Sequence, residues 1–326
     1  MKKPLIVLTG PTAAGKTSLS ISLAKAVNGE IISADSMQVY KGMDIGSAKI
    51  RKEEMQGVTH YLVDVLEPED EFHIVKFQKM AKAAMKEIYA KGKIPILVGG
   101  TGFYIQAVAR DIDFTQAEQE TSYREELERL AKEKGADYLH EELRKVDPKS
   151  AQNIHANNVK RVIRALEFYH QNKTPISEHN EEQKQQVSPY ELAYFVLSAP
   201  RNILYERIDK RVDKMLEEGL LEEVRTLKER GCHRGMVSMQ GIGYKEILAY
   251  LDGEYPLEEA VRILKRDTRH FAKRQLTWFR REQDVIWLDK EEFHWNENEI
   301  LEYMLKILRE RGMISVGKTP ASISGE

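Results

Sequence analysis

The chain has 326 residues, of which 41% are hydrophobic and 31% charged, a balance typical of a globular protein with enough apolar residues for a core. The formal net charge of −2 gives no overall sign of nucleic-acid binding, so any such surface must come from local clusters of cations. No apolar run is long enough to span a membrane, and the single cysteine, Cys232, excludes an intrachain disulfide and a cysteine-rich zinc site and fits a reducing cytoplasm.

The first predicted strand, residues 5–9, leads directly into a glycine-rich loop and then a helical pattern. The loop consists of Gly10, Pro11, Thr12, Ala13, Ala14, Gly15, Lys16 and Thr17. This is the phosphate-binding loop Gly-x-x-x-x-Gly-Lys-Thr in its strand–loop–helix context, where Lys16 reaches the outer phosphates and Thr17 binds Mg²⁺. The sequence therefore predicts a diphosphate or triphosphate site, and it does not decide whether the phosphates are transferred, hydrolysed or released.

The second predicted strand, residues 30–33, is followed by an acidic residue, Asp35. Because ligands of a parallel sheet lie beyond the carboxyl ends of its strands, we expect Asp35 close to the phosphate-binding loop. A carboxylate there can bind Mg²⁺ through water or accept a proton from an attacking group. It can equally cap the helix that follows, and the residue alone does not choose between these roles.

The third predicted strand, residues 94–98, ends in Gly99, Gly100 and Thr101. Glycines at a strand end allow the backbone to approach a ligand closely, and Thr101 presents a hydroxyl and an N–H at a helix start. An ordinary glycine-rich turn with a threonine cap gives the same pattern, so both interpretations stay open.

The rest of the chain alternates between helical and strand patterns. Helical spacing covers residues 123–134, 136–145 and 158–172, then 202–231, 240–252 and 257–282, with two more strands at 192–197 and 285–288. This alternation indicates an α/β fold: a P-loop NTPase-like parallel sheet with flanking helices and an all-helical insertion domain. We expect the core at residues 1–115 and 187–311, the insertion at 116–186 and a disordered tail at 312–326.

Cations are concentrated in the last of these helical patterns. Residues 262–281 carry eight lysines and arginines against one acid, Asp267, with aromatic residues between them. Arg262, Arg266, Arg269 and Lys273 share one helix face. Such a stripe suits contacts with nucleic-acid phosphates, although a solvated helix face has the same composition.

Three stretches together resemble one family, the bacterial tRNA dimethylallyltransferases, which prenylate an adenine beside the anticodon. They are the phosphate-binding loop, the segment 35–49 with Asp-Ser-Met-Gln-Val-Tyr and Gly-Met-Asp-Ile-Gly-Ser-Ala-Lys, and the segment 99–104, Gly-Gly-Thr-Gly-Phe-Tyr. Further matches, among them 240–246 and 269–279, extend the resemblance over roughly residues 4–290. The segments 35–49 and 269–279 are far more specific than the loop alone. With one cysteine, this chain lacks the zinc finger that eukaryotic members often add.

The resemblance implies a role for each candidate residue. Dimethylallyl diphosphate would place its diphosphate on the loop as a leaving group, with Mg²⁺ as the cofactor. Asp35 would take the proton of the attacking adenine amine, Thr101 would hold the leaving oxygens, and Arg211, favoured over Arg207, would clamp the diphosphate.

The acceptor implied by the resemblance is the N6 amine of the adenosine on the 3′ side of the anticodon, which must be extruded from its stack. The positions carried over as contacts to tRNA are Asp35, Ser36, Met37, Gln38, Thr101, Arg124, Lys160, Arg161, Val162, Ile163, Arg164, Gln240, Gly241, Ile242, Gly243, Tyr244 and Lys245. Some members of the family have arginine where this chain has Gln240.

The expected partners are therefore tRNA and dimethylallyl diphosphate, for a monomeric cytoplasmic enzyme that binds no membrane. One alternative is an adenylate isopentenyltransferase acting on free AMP or ATP, although a free nucleotide needs no helical insertion or basic helix. A P-loop small-molecule kinase is a second, but it does not explain the segment 35–49. A third alternative is a nucleotide-switched binding protein. A GTPase of this kind normally carries the guanine-binding signature Asn-Lys-x-Asp, and the segment 172–175 of this chain has Pro175 in place of the aspartate.

Overall fold

The structure is a computed structural model that describes residues 2–114, 121–185 and 187–315. It divides into two compact units: residues up to Ala109 together with those from Pro189 onward form the first unit, and Arg110–Ser188 form the second. The insertion predicted at residues 116–186 falls within the second unit.

A parallel sheet organises the first unit. Within the described residues its strands are β1 (Pro4–Thr9), β2 (Gly29–Ala34), β3 (His60–Tyr61), β4 (Ile94–Gly99), β5 (Glu191–Ser198) and β6 (Val285–Asp289). Their order across the sheet is β3-β2-β4-β1-β5-β6, and neighbouring strands run parallel. The predicted strands are confirmed, whereas β3, with two residues, is too short to show a sequence pattern.

Helices cover both faces of this sheet. The described helices are α1 (Lys16–Ala26), α2 (Ile74–Ala90), α3 (Gly102–Ala109), α4 (Thr121–Lys134), α5 (Ala136–Val146), α6 (Pro148–Asn153), α7 (Val159–Asn172), α8 (Ile176–Gln185), α9 (Arg201–Glu217), α10 (Leu220–Glu229), α11 (Tyr244–Leu251), α12 (Leu257–Phe279) and α13 (Glu297–Glu310). Along β1, Leu5 and Val7 pack into one apolar cluster and Ile6 and Leu8 into another. Because successive strand residues point to opposite faces, a continuous apolar strand implies helices on both sides, and the predicted α/β fold is confirmed.

The structure differs from the sequence pattern at several boundaries. Gly219, with a φ of 103°, separates α9 from α10 inside the run that the pattern predicts as one helix. The pattern over 240–252 becomes a helix only from Tyr244 onward. Met313 is 8% exposed and packs into the core, so the chain is part of the fold beyond residue 312. The rest of the predicted disordered tail, residues 316–326, lies outside the described residues.

In the second unit, α4 to α8 surround their own apolar cluster, in which Leu139, Leu143 and Val162 are fully buried. Asp147 is also fully buried, and it accepts hydrogen bonds from the N–H and hydroxyl groups of both Ser150 and Ser177. Burial alone raises the pKa of this carboxyl, but these hydrogen bonds outweigh it and hold the pKa below its usual range. The carboxylate thereby joins the starts of α6 and α8.

Candidate active site

The phosphate-binding loop lies between β1 and α1, as predicted. Gly10 has a φ of +146°, and a Cβ there would lie 2.5 Å from the carbonyl oxygen of Leu197, so only glycine fits against β5. The N–H groups of Ala13 and Gly15 donate no hydrogen bond within the described residues. Together with the N-terminus of α1, which begins at Lys16, they form a cradle for an anion.

Lys16 lies against the inside of this loop. Its Nζ donates hydrogen bonds to the carbonyl oxygens of Gly10 at 3.0 Å and Pro11 at 2.8 Å. Burial, with a smaller contribution from the Arg211 charge, lowers the pKa of Lys16 to about 8, while the Asp35 carboxylate counteracts part of that shift. Among the described residues this ammonium group has no carboxylate within ion-pair distance, so the arrival of an anion would stabilise its charge.

Asp35 follows β2, and its hydrogen bonds show one of its two predicted roles, that of a cap. Its Oδ1 accepts hydrogen bonds from the backbone N–H groups of Met37 at 2.8 Å and Gln38 at 3.3 Å, so the carboxylate does cap the following turn. Its Oδ2 accepts no hydrogen bond within the described residues. One oxygen therefore fixes the side chain, and the other remains available to accept a proton.

Thr101 comes from the neighbouring strand end. Its N–H donates to the carbonyl oxygen of Ala34 at 3.3 Å, which ties the end of β4 to the end of β2, directly before Asp35. The N–H is therefore not available to a ligand, and the hydroxyl is the group that Thr101 can offer. The next residue, Gly102, packs against Trp278 so closely that a Cβ there would lie 2.2 Å from Cδ1 of the indole.

Two arginines of α9 separate in the structure. The Nη1 of Arg211 lies 3.5 Å from the Oγ1 of Thr12 in the loop. Arg207 instead places its guanidinium 4.5 Å from the ring centre of Trp295. Burial lowers the pKa of Arg211, and the Asp35 charge opposes that shift. The geometry thus favours Arg211 as the arginine that acts at the phosphate-binding loop.

Gln275 of α12 is a site residue that the sequence interpretation missed. Its Oε1 accepts from the N–H of Thr12 and its Nε2 donates to the carbonyl oxygen of Gly100, both at 2.9 Å. The side chain is 5% exposed and bridges the phosphate-binding loop to the glycine turn that carries Thr101. The available signal was a polar residue on the buried face of an amphipathic helix, in line with Ala272 and Phe279.

Lys290, directly after β6, is a second residue without a predicted role. Its Nζ bonds to Glu297 Oε1 at 2.9 Å, and a Cβ on Gly15 would lie 2.6 Å from that Nζ. Lys290 therefore packs against the loop at Gly15, whose φ of +84° favours glycine at this position.

Two segments predicted to contact tRNA lie side by side in the first unit. Gly241 packs on Met37, where a Cβ would lie 2.5 Å from the Met37 Sδ, so Ser36, Met37 and Gln38 adjoin the start of the segment 240–245. Gln38 is held internally by Ser33 and by the carbonyl oxygens of Ser47 and Ala48. Gln240 is exposed, Gly241 and Gly243 are buried, and Ile242 and Lys245 are half-buried.

Tyr244 requires a correction, because its side chain cannot contact RNA. It is fully buried, donates to Glu223 Oε1 at 2.8 Å and accepts from the N–H of Ser47 at 3.2 Å. The other carboxylate contacts of Glu223 are the N–H groups of Asp44, Ile45 and Gly46. Tyr244 and Glu223 together fix the segment that follows Asp35.

The candidate RNA contacts of the second unit fall into two groups. Lys160, Arg161 and Arg164 are exposed on α7. Val162 and Ile163, at 0% and 2% exposure, belong to the apolar cluster of this unit, so their predicted side-chain contacts to tRNA are corrected to core packing. Arg124 lies between two carboxylates, with its Nε 3.6 Å from Glu128 and 3.9 Å from Glu167.

The predicted basic stripe of α12 is largely ion-paired. Arg262 binds Glu259, Arg266 binds Asp267, and Arg269 binds Asp209 through both carboxylate oxygens at 2.6 and 2.8 Å. Of the four stripe residues, only Lys273 has no carboxylate partner within the described residues. The cations that remain available lie further along the helix.

The fold is a parallel sheet with an anion cradle after β1, and the adjoining strand ends carry a carboxylate and a hydroxyl. These features define the class of P-loop proteins, here with a candidate base beside the anion cradle. The chain belongs to the IPP transferase family, whose model matches residues 38–282. The resemblance found in the sequence is thus confirmed.

Individual relatives agree with this assignment. The chain is 64% identical, over 96% of its length and 99% of the relative's, to a protein of Lachnoclostridium phytofermentans named tRNA dimethylallyltransferase. It is similar to the full-length tRNA isopentenylpyrophosphate transferase from Bacillus halodurans, with 45% identity, a TM-score of 0.72 and coverage of 95% and 98% of the two chains. A eukaryotic dimethylallyltransferase described as acting on tRNA gives 29% identity and a TM-score of 0.76, over 98% of this chain and 87% of that one.

No helix in the part of the chain that the structure describes has the length and apolarity to cross a bilayer. No group of three or more histidine, cysteine, aspartate or glutamate side chains among the described residues could hold a metal ion.

Proposed function

We propose that this chain transfers a dimethylallyl group from dimethylallyl diphosphate to the N6 amine of the adenosine on the 3′ side of the anticodon in tRNA. The reaction class is that of the family and of the named relatives. The observation that supports the residue roles is the convergence of Lys16, Asp35 and Thr101 at one edge of the sheet.

In this reaction the N6 nitrogen attacks C1 of the dimethylallyl group, and the bond between C1 and the diphosphate oxygen breaks. Asp35 Oδ2 accepts the proton that the amine loses, while Oδ1 stays bonded to the turn and keeps the carboxylate in place. The charge that develops on the departing pyrophosphate is stabilised by Lys16, by the N–H groups of Ala13 and Gly15, and by Arg211.

Mg²⁺ belongs to the same proposal. Thr17 is exposed in the first turn of α1, and its hydroxyl donates no hydrogen bond within the described residues. Mg²⁺ commonly keeps several waters and takes only one or two protein ligands besides the phosphate oxygens of a substrate. A site without a carboxylate cluster therefore fits an ion that arrives with the diphosphate. When bound, the ion neutralises charge on the leaving group.

Monomeric state and cytoplasmic location complete the proposal. The cytoplasmic location follows from the proposed substrate, because tRNA is found in the cytoplasm. We also propose that the helical unit acts as an inserted domain that contributes Lys160, Arg161 and Arg164 to tRNA binding, since these cations are exposed.

The test offers labelled dimethylallyl diphosphate together with tRNA or AMP, and γ-labelled ATP in a parallel reaction. We expect label in tRNA at the N6 of adenosine, none in AMP and no transfer of the γ-phosphate, with activity lost on chelation of Mg²⁺. Labelled AMP without labelled tRNA would instead identify an adenylate isopentenyltransferase, and phosphoryl transfer would identify a kinase.

A further inference from the structure

The carboxylate of Glu223, in the first turn of α10, accepts hydrogen bonds from the backbone of a segment distant in sequence. Its Oε2 accepts from the N–H groups of Asp44 at 2.9 Å and Ile45 at 2.7 Å, and its Oε1 accepts from that of Gly46 at 3.0 Å. Three successive N–H groups directed at one anion form a backbone nest, which a charged carboxylate fills with strong hydrogen bonds. Glu223 therefore ties the segment 44–46 to a helix at least 177 residues further along the chain.

The segment 44–46 belongs to the connection between β2 and β3, which contains turns but neither a helix nor a strand. Such a connection is held in place by the contacts that its side chains and backbone make. Within it, the Nζ of Lys49 donates to Asp44 Oδ1 and to the carbonyl oxygen of Tyr40, both at 2.6 Å. Glu223 then links this locally folded turn to α10.

The same connection supports the turn that Asp35 caps. The side-chain amide of Gln38 donates to the carbonyl oxygens of Ser47 at 3.4 Å and Ala48 at 3.2 Å. The N–H of Gln38 donates to Asp35 Oδ1 at 3.3 Å. A displacement of the residues that follow Gly46 would therefore be passed through Gln38 to the carboxylate of Asp35.

Tyr244 brings the segment 240–245, which is predicted to contact tRNA, into the same assembly. Its hydroxyl donates to Glu223 Oε1 at 2.8 Å and accepts from the N–H of Ser47 at 3.2 Å. Its ring packs so closely on Gly46 that a Cβ there would lie 2.7 Å from the Cζ atom. Glu223 and Tyr244 therefore hold the connection behind Asp35 and the segment 240–245 in a fixed relation.

We propose that Glu223 is a positioning residue that aligns Asp35 with the acceptor nucleotide. It acts through the segment 44–48 and Gln38, so its loss should slow the transfer step without weakening the binding of the donor at the phosphate-binding loop. A misplacement of about 1 Å can lower a rate by roughly 10²-fold, which makes such alignment measurable. The proposal rests on the proposed function, in which Asp35 accepts the proton of the adenosine amine.

The experiment compares Glu223→Gln with Glu30→Gln as the matched control. Glu30 is 2% exposed, accepts hydrogen bonds from two lysines and a tyrosine, and lies near the end of β2 opposite to Asp35. Single-turnover rates are measured by rapid quench with saturating tRNA and donor, at a temperature where both variants are folded. Glu223→Gln should lower the rate by roughly 10- to 10²-fold with the donor dissociation constant within about twofold of wild type. Glu30→Gln should lower the melting temperature and keep the rate.

A second substitution tests whether Glu223 acts through Asp35. In an Asp35→Asn chain the carboxylate that needs alignment is absent, so adding Glu223→Gln should slow transfer by less than about twofold further. A purely structural defect would slow the Asp35→Asn chain by the same factor as the wild type, and that result would overturn the proposal. A wild-type rate in Glu223→Gln, or a donor affinity that falls as much as the rate, would also overturn it.

Tyr244→Phe replaces Glu223→Gln if that variant does not fold, because it removes the hydroxyl bonded to Glu223 and keeps the ring on Gly46. We expect a smaller loss of rate, again with unchanged donor affinity and again absent from the Asp35→Asn chain. An unchanged rate in this variant would count against the positioning role. Failure of the wild-type enzyme to prenylate tRNA would count against the proposed function, whereas normal rates in the variants of an active enzyme would count against Glu223 alone.

Discussion

At the scale of single residues, the candidate site is built from side chains that have a structural role besides the proposed chemical one. Asp35 caps a turn with one oxygen and leaves the other available, and Lys16 bonds to the backbone of the loop for which we propose diphosphate binding. Such a double role keeps the side chain in place without closing the site. Substitutions that separate the two roles are therefore more informative than plain truncations.

Asp35→Asn and Asp35→Ala should lower the single-turnover rate to a similar extent, by roughly 10²–10⁴-fold, because both remove the proton acceptor. Asn keeps an oxygen for the N–H groups of Met37 and Gln38, so its stability should stay near wild type. Ala should cost about 0.5–2 kcal/mol of unfolding free energy for the lost cap. Rapid-quench kinetics and thermal melts measure both effects, and an Asn variant within tenfold of the wild-type rate would move the base elsewhere.

The pKa of Lys16 predicts a pH dependence of donor binding. With a pKa of about 8 in the ligand-free protein, the amine is charged below pH 8 and neutral above it. Affinity for a diphosphate should therefore fall as the pH rises through 8, by about tenfold per unit at the steepest. Calorimetry between pH 7 and 9.5 at fixed free Mg²⁺ measures this.

A Lys16→Met variant is the control for that titration, since its weaker binding should show no inflection near pH 8. The effect of Lys16 on folding stability changes with pH in the opposite direction. Between pH 8 and the ordinary lysine pKa of 10.5 the unfolded chain binds more protons than the native one, so this group makes stability rise with pH in that range.

At the scale of secondary-structure elements, the ends of the strands and helix α12 determine which residues of the candidate site lie close together. The sheet order places β4 between β2 and β1, so Asp35, Thr101 and the phosphate-binding loop share one edge. Helix α12 then crosses this edge and joins the loop to the glycine turn through Gln275. The bridge uses the N–H of Thr12, which is thereby withdrawn from phosphate binding.

Gln275→Leu should lower both stability and donor affinity, because it leaves the Thr12 N–H and the Gly100 carbonyl without their partner. We expect a loss of about 1–3 kcal/mol in unfolding free energy. Gln78→Leu is the matched control, since Gln78 is similarly buried and donates to the carbonyl oxygen of Ala107 at 2.7 Å. That control should be destabilised to a similar degree with an unchanged donor dissociation constant, and equal losses of affinity in both variants would remove Gln275 from the site.

The sequence predicted those features whose signal is local. The loop, Asp35 and Thr101 each combine a residue type with an adjacent strand, and both are visible within a dozen residues. Gln275 acts through contacts 263 and 175 residues away along the chain, which no local pattern contains. The ion pair of Arg269 with Asp209, 60 residues away, and the hydrogen bond of Tyr244 to Glu223, 21 residues away, are likewise absent from any local pattern.

At the scale of the whole molecule, a net charge of −2 conceals an uneven distribution of cations. The exposed Lys160, Arg161 and Arg164 lie in the second unit. The exposed Lys273 and Arg274 of α12, which have no carboxylate partner within the described residues, lie in the first. A nearly neutral protein can therefore bind a polyanion through a few local contacts, which makes binding depend strongly on salt concentration.

Arg161→Gln with Arg164→Gln should weaken tRNA binding and reduce the salt slope by about 1.4 to 1.8, with donor affinity unchanged. Combined with a second double variant of α12, Lys273→Gln with Arg281→Gln, the reductions should add if both sets of cations contact RNA, because they lie in separate units. Salt titrations of the two double variants and the quadruple variant measure this. A quadruple variant no worse than either double variant would mean that the two sets of cations do not bind the same RNA together.

Helix α12 contacts the phosphate-binding loop on one face and carries cations on the other. Its buried face reaches the loop through Gln275, and its exposed face carries Lys273 and Arg274. A ligand that favours one position of this helix changes the free energy with which the other ligand binds, and thermodynamic reciprocity makes the change equal in both directions. If RNA binds the exposed face of α12, RNA and donor should therefore alter each other's affinity by the same factor, and Gln275→Leu should reduce this coupling as well as donor affinity.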